Sequence, residues 1–249
     1  MAVFKDYARY YDALYRNKDY MKEARDIDRL LRRQAGAQGI VTLLNLGCGT
    51  GKHDRCLNAL GYAVDGVDMS AEMIQEARVA GSGNDYEVAD IRTYAPQKKY
   101  DAVISMFHVI SYQNTNEDVV NAFGTARRAL DAGGLFLFDL WYGPGVLTDK
   151  PATRIKQVET DRGETVVRLA TATMHPETDI VDVHYDMLIL RDGKYSTIHE
   201  DHHMRYFFRP EIEFYLNQTG FELLECLDCN SLERTDFNSW TAYFIARAK

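Results

Sequence analysis

Proline is scarce, at 5 of 249 residues, and glycine reaches only 17, which excludes collagen-like and low-complexity architectures. Apolar runs such as Ala102–Ile110 and Leu135–Tyr142 fall far short of the roughly 20 residues that cross a bilayer. The opening MAVFKDYARYYDALYRNKDY lacks the basic start and apolar stretch of a secretory signal, so a cytoplasmic protein with no membrane partner is expected. Basic charge is also in deficit. With 29 Lys and Arg against 37 Asp and Glu the net charge is −8, unsuited to tracking a nucleic-acid backbone. Only four cysteines occur, Cys48, Cys56, Cys226 and Cys229, and a reducing cytosol would keep them as thiols. The single C-x-x-C at 226–229 has no second pair and lies in a strand-like run, so neither a zinc nor a redox site is expected from it. What is present is 46% apolar residue content in a chain long enough to bury about three-quarters of its unfolded surface. Small-molecule chemistry is the expectation.

From residue 40 short apolar runs alternate with helix-like stretches, the signature of an α/β fold with a doubly wound parallel sheet. The runs are Ile40–Leu46, Ala63–Val67, Tyr86–Val88, Tyr100–Met106 and Leu135–Leu140; helices are expected over His53–Leu60, Ala71–Ala80 and Asp118–Leu130. Ligands of such sheets bind at the carboxyl ends of the strands. Ahead of this core, Asp19–Gln34 reads as an amphipathic helix whose basic end, Arg29, Arg32 and Arg33, suits a helix C-terminus. Over Ile155–Phe208, β-branched and polar residues alternate, and Arg191-Asp-Gly-Lys194 is a hairpin signal, so an inserted antiparallel layer is expected. Pro210–Asn217 reads as a helix ending at Gly220, and strands Glu222–Leu227 and Thr241–Arg247 return to the main sheet. A single domain results: a helical cap over 1–39, a core over 40–142, the insertion over 150–208, and 209–249 completing the sheet.

Leu43-Leu-Asn-Leu-Gly47-Cys-Gly49-Thr-Gly51 is an apolar strand running into G-x-G-x-G ahead of a helix, where glycines permit a tight turn and close backbone approach to a ligand. A Walker A loop would need glycine at Leu46 and Ser or Thr at His53, and the dinucleotide fingerprint would need glycine at Lys52. Tyr94-Ala-Pro-Gln-Lys98 has the Tyr-x-x-x-Lys spacing of some dehydrogenases, but Pro96 breaks the helix that spacing requires. Asp68 ends the next strand, and its carboxylate offers two acceptors side by side, suited to the hydroxyls of a ribose. Asp90 ends the third and brings a second carboxylate to the same crevice.

LLNLGCGTG, VDGVDMS, EVADI, YDAVISMF and RALDAGGLFLFDL, in that order, resemble the motifs of the class I S-adenosylmethionine-dependent methyltransferases. The resemblance implies a Rossmann-like seven-stranded sheet with an antiparallel last strand, and S-adenosyl-L-methionine as cofactor. It places Gly47, Gly49 and Gly51 at the methionine part, Asp68 on the ribose, Met69 and Ile91 flanking the adenine, Asp90 at its amino group and Met106 near the methionine. The Asp-Pro-Pro-Tyr type of motif of base- and amide-directed enzymes is replaced by Ser105-Met-Phe-His108. A narrower resemblance, carried by Tyr7–Tyr20, Met106–Tyr112 and Phe138–Tyr142, is to the nucleotide-linked amino-sugar N-methyltransferases, in which a histidine commonly stands where this chain has Tyr112.

The reaction implied is in-line displacement at a sulfonium methyl, driven largely by holding the acceptor lone pair about 3 Å away. An amine must arrive neutral, so Tyr112 and His108 are the candidate catalytic groups. Tyr11 and Tyr20 are candidate cofactor contacts, because a ring face beside a sulfonium gains cation–π attraction. Tyr7, Tyr15, Trp141 and Tyr142 are candidate substrate contacts. His184, His199, His202 and His203 invite a metal reading, but strand neighbours point to opposite faces, so no metal is expected. Sugar or small-molecule O-methylation and a non-catalytic sensor of the cofactor remain the alternatives; the insertion would close the acceptor site or pair subunits as a homodimer.

Overall fold

The computed structural model describes residues 8–36, 39–81 and 83–249. Helices α1 (Ala8–Leu14) and α2 (Tyr20–Ala35) precede the core, and α2 starts where the Asp19 carboxylate accepts from the Lys22 N–H at 2.8 Å. The alternation then runs β1 (Thr42–Leu46), α3 (Lys52–Ala59), β2 (Ala63–Asp68), α4 (Ala71–Val79), β3 (Tyr86–Val88) and β4 (Tyr100–Ser105). A 3-10 turn (Val109–Tyr112), α5 (Asn116–Arg128) and β5 (Leu130–Tyr142) follow. Ser70 and Thr115 cap α4 and α5 through their hydroxyls.

Strands β3-β2-β1-β4-β5 are parallel in that order, and β11 (Thr241–Ala248) adds antiparallel to β5, with β10 (Phe221–Asp228) outside it. The core sheet therefore has the expected seven strands and reversed last strand. Apolar side chains cover both faces: α5 and α7 (Arg209–Gln218) pack through Phe123, Ala126, Ile212 and Leu216 on one, α2 and α3 through Ile27, Leu30, Leu31 and Leu57 on the other. Burial on two sides is why these strands read as near-continuous apolar runs.

After a short α6 (Gly143–Thr148), the insertion forms β6 (Arg154–Glu159), β7 (Thr165–His175), β8 (Ile180–Arg191) and β9 (Lys194–Phe207), antiparallel throughout. The β8–β9 hairpin closes at Arg191 opposite Lys194, with Asp192 at φ +50° and Gly193 at φ +72°, the two left-handed positions of a tight hairpin turn. One face of this layer packs Val166, Met187 and Ile189 against Tyr10 and Leu14 of α1. The end of β9 pairs Tyr206 and Phe207 in parallel with Trp141 and Tyr142, filling the place β4 vacates when it stops at Ser105. Cap and insertion thus meet above the carboxyl edge of the core sheet.

Candidate functional site

β1 delivers the chain into the glycine loop, which is tied to the end of β2 by the Gly47 and Cys48 N–H groups donating to the Val67 carbonyl at 2.8 and 3.0 Å. Gly49 has φ +55° and open space where a Cβ would stand, the geometry of a backbone left bare for a ligand. Gly51, at φ +68°, begins α3, and a Cβ there would overlap the Tyr86 hydroxyl. The Asp68 carboxylate accepts from the Gly49 and Ser70 N–H groups, both at 2.9 Å, so the acid at the end of β2 also braces the loop. Burial pushes its carboxyl up, and the N–H groups of Ser70, Gly49 and Met69 pull it back. Beside it Met69 is 54% exposed, an apolar surface facing outward at the strand edge, while Ile91 and Met106 are buried.

Cap helix α1 is fastened across this loop. Asp12 accepts from the Thr50 hydroxyl at 3.2 Å and pairs with Lys52 at 2.9 Å. That holds Tyr11 and Tyr15 over Phe107, with ring centroids 6.3 and 5.1 Å from its ring. Tyr20, at the start of α2, stands edge-on to His53, and its buried hydroxyl, next to Tyr11, makes no well-formed hydrogen bond among the described residues. Burial of Glu23 opposes its ionisation, but His53 at 2.6 Å and Lys18 outweigh that and hold its carboxyl at about 2. Bare glycine backbone, a braced acid, an exposed Met69 and an unsatisfied tyrosine hydroxyl on one rim fit a nucleoside with a charged amino-acid tail.

Asp90 is arranged differently from the expectation that it waits for an adenine amine. Arg92 donates to both its oxygens at 2.6–3.0 Å and reaches Asp118 at 3.0 Å. Hydrogen bonding from Arg92 holds the Asp90 carboxyl below the usual range. Tyr142, expected at the substrate, points to the α5–α7 face and is buried with Phe207 and Ile212, because β5 side chains alternate across the sheet. Trp141 emerges on the other face and packs edge-on against Trp240 at 4.7 Å. Tyr7 lies outside the described residues.

The two candidate catalytic groups part company. Phe107 and His108 both sit at φ +66°, a left-handed step that turns the chain sharply out of β4. His108 then lines a cavity of about 280 Å³ with Lys18, Glu23, Asp139 and Tyr243, its Nδ1 2.8 Å from the Asp139 carboxylate but off the line of a hydrogen bond. Tyr112 instead meets the insertion: its hydroxyl lies 2.7 Å from His202 Nδ1, and His202 Nε2 lies 3.2 Å from Glu200. The strand alternation that separates the histidines leaves only His202 inward. His203, His184 and His199 face outward, each opposite an aspartate: Asp182, Asp201 and Asp186. Sequence reasoning missed His202, Glu200 and Asp139 as site residues, and also Arg168, whose guanidinium lies 4.9 Å over the Tyr185 ring and 5.9 Å over Tyr15.

Residues 43–134 match a family model described as a methyltransferase domain. Those residues form a methyltransferase domain, and the enzyme is an S-adenosylmethionine-dependent methyltransferase. It is 29% identical over 182 residues to dTDP-3-amino-3,4,6-trideoxy-alpha-D-glucopyranose N,N-dimethyltransferase of Streptomyces venezuelae, covering 72% of this chain and 75% of that one. It is 26% identical over 219 residues to dTDP-3-amino-3,6-dideoxy-alpha-D-glucopyranose N,N-dimethyltransferase of Streptomyces fradiae, covering 87% and 84%. In fold it is similar to the sugar N-methyltransferase KedS8 from Streptoalloteichus, with a TM-score of 0.86 at 23% identity over 100% of this methyltransferase and 95% of that chain. Among the described residues no helix is long and apolar enough to cross a membrane.

Proposed function

We propose that this methyltransferase methylates the amino group of a nucleotide-linked deoxy amino sugar. The observation that carries the reading is the aromatic cluster where the cap meets the insertion: Tyr11, Tyr15, Phe107 and Tyr185 supply aromatic faces and Arg168 a cation among them. Rings of that kind stack sugar and base, and a guanidinium takes a phosphate oxygen with charge-assisted hydrogen bonds. Lys156 and Arg154 stand on the same face of β6, Lys156 directly opposite Arg168. Support also comes from the Streptomyces fradiae relative, whose similarity extends over 87% of the chain and so well beyond the methyltransferase domain.

When bound, S-adenosylmethionine supplies a methyl already activated on sulfonium sulfur. The chain's own contribution is placement. The glycine loop approaches the methionine part and Asp68 takes the ribose, Tyr11 and Tyr20 flank the amino-acid tail, and α1 with the insertion excludes water above β4 and β5. Tyr112 meets the acceptor nitrogen and His108, held by Asp139, lines the neighbouring cavity. Incubating the enzyme with S-adenosylmethionine and dTDP-3-amino-3,6-dideoxyglucose, beside the sugar nucleotide bearing a hydroxyl at that carbon, tests the reading by mass spectrometry. A gain of one or two methyl masses on the amine alone is expected; methylation of the hydroxyl compound alone would refute it.

A further inference from the structure

His202 is 2% exposed, an imidazole almost wholly enclosed, and its neighbours are ordered in a line. Tyr112 comes from the 3-10 turn after β4, His202 and Glu200 from the inward face of β9, with Oη–Nδ1 at 2.7 Å and Nε2–Oε2 at 3.2 Å. Tyr185 of β8 stands edge-on to the imidazole at 4.8 Å, with Arg168 of β7 over that ring and Tyr15, just after α1, beyond it. A carboxylate at Nε2 favours the tautomer with the proton on Nε2, which leaves Nδ1 bare to accept from the phenol. The mechanism outlined above has no use for a buried imidazole so arranged, and packing alone would be served by an apolar side chain.

We infer that Tyr112, His202 and Glu200 form a proton relay that drains the acceptor nitrogen, with His202 and Glu200 as positioning residues acting through Tyr112. The inference rests on the acceptor being an amine. As the nitrogen bonds to the methyl carbon, the carbon–sulfur bond breaks with its electron pair left on sulfur. The resulting ammonium gives one N–H proton to Tyr112 Oη, and the phenol's own proton passes to His202 Nδ1. The imidazolium that forms directs Nε2–H at the Glu200 carboxylate, which stabilises it. The methylated amine leaves neutral, and His202 returns its proton to solvent once the cleft opens.

Two readouts test this. In nitrogen-15 spectra of histidine-labelled enzyme, assigned with His202→Gln, the wild-type His202 ring is expected as the Nε2–H tautomer, with the Nδ1 signal moving in Tyr112→Phe. An Nδ1–H tautomer would overturn the relay, because that ring cannot take the phenol's proton. In turnover of dTDP-3-amino-3,6-dideoxyglucose across pH 6–9, Glu200→Gln is expected to lower kcat about ten- to a hundredfold with KM for S-adenosylmethionine unchanged. The acid limb of its profile should move to lower pH, since a neutral amide no longer stabilises the imidazolium. The double variant Tyr112→Phe with His202→Gln should be no slower than the slower single one, as for groups acting in one chain. Wild-type kcat and an unmoved profile in Glu200→Gln would overturn the relay. Absence of wild-type turnover on amino-sugar nucleotides would instead overturn the acceptor reading, and the tautomer then decides the relay by itself.

Discussion

Replacing Asp68 separates two duties that one carboxylate performs. Without ligand, its oxygens accept from the Gly49 and Ser70 N–H groups at 2.9 Å, and so hold the glycine loop to the start of α4. On the function proposed above, the same carboxylate accepts from the ribose of the bound cofactor. In Asp68→Ala both N–H groups lose a charged acceptor, but the rim is open to water, so the unliganded protein should lose about 1–3 kcal/mol. For a chain of this size that lowers the melting temperature by about 2–12 °C. Loss of the ribose contact should cost a further 1.5–3 kcal/mol, roughly, in binding, or about ten- to 150-fold in Kd for S-adenosylmethionine. Calorimetric titration and thermal unfolding of the same preparation measure the two quantities separately. A lowered melting temperature with unchanged Kd would refute the cofactor role and leave Asp68 as a loop brace. Asp68→Glu adds one methylene and should fall between wild type and alanine in Kd.

Gly51→Ala places a Cβ against the Tyr86 hydroxyl at a left-handed φ of +68°, and should cost roughly 1–3 kcal/mol in urea unfolding; wild-type stability would mean that Tyr86 moves aside freely. Burial pushes the Asp54 carboxyl up to about 6, against the hydrogen bond from Asn45. A raised folded pKa means that the folded state binds more protons between about pH 4 and 6. The stability Asp54 contributes is therefore full below about pH 4 and lost as pH rises through 6, by about 3 kcal/mol. Unfolding free energies at pH 4.5 and 7 should show this decline as a difference between wild type and Asp54→Asn; parallel values would sink it. Arg168→Gln should raise KM for a nucleotide-linked acceptor about ten- to a hundredfold with KM for the cofactor unchanged, and equal loss on an uncharged amine would remove phosphate from the account.

Much of the architecture was written locally in the chain. The hairpin at Arg191–Lys194 could be read because only Asp192 and Gly193 had to turn left-handed, and the glycine loop because strand, glycines and helix follow without interruption. The position of Asp68 at a strand end was legible for the same reason: strand β2 ends on it. What depends on partners distant in sequence was harder. Alternation separates His202 from His203, but which one faces inward is set by the register of β9 on β8, where a slip of one residue would exchange them. The usable signal was parity: Ile198 and Met204 share the inward face with His202, and Val183 stands opposite it. The partner of Asp90 went unread, although Arg92 two residues on was within reach of its carboxylate.

Asp139 shows how an unread residue shapes the site. Two successive non-glycine residues, Phe107 and His108, at φ +66° each cost roughly 1–2 kcal/mol against the ordinary backbone, so something must hold them. Asp139 holds one, its Oδ1 accepting from the His108 N–H at 3.0 Å. The aromatic cluster holds the other, Phe107 packing under Tyr15 with the Lys18 ammonium 4.0 Å over its ring. A polar residue within the apolar run FLFDLWY was the signal, since an aspartate buried at a strand end must find donors. The left-handed step directs Phe107 toward the cap and His108 toward the cavity beneath α2, and the chain then winds into the turn that carries Tyr112 to His202. The position of Tyr112 is therefore inherited from strain stored at Phe107 and His108, and Asp139, on a different strand, shares in setting the proposed proton path without lying on it.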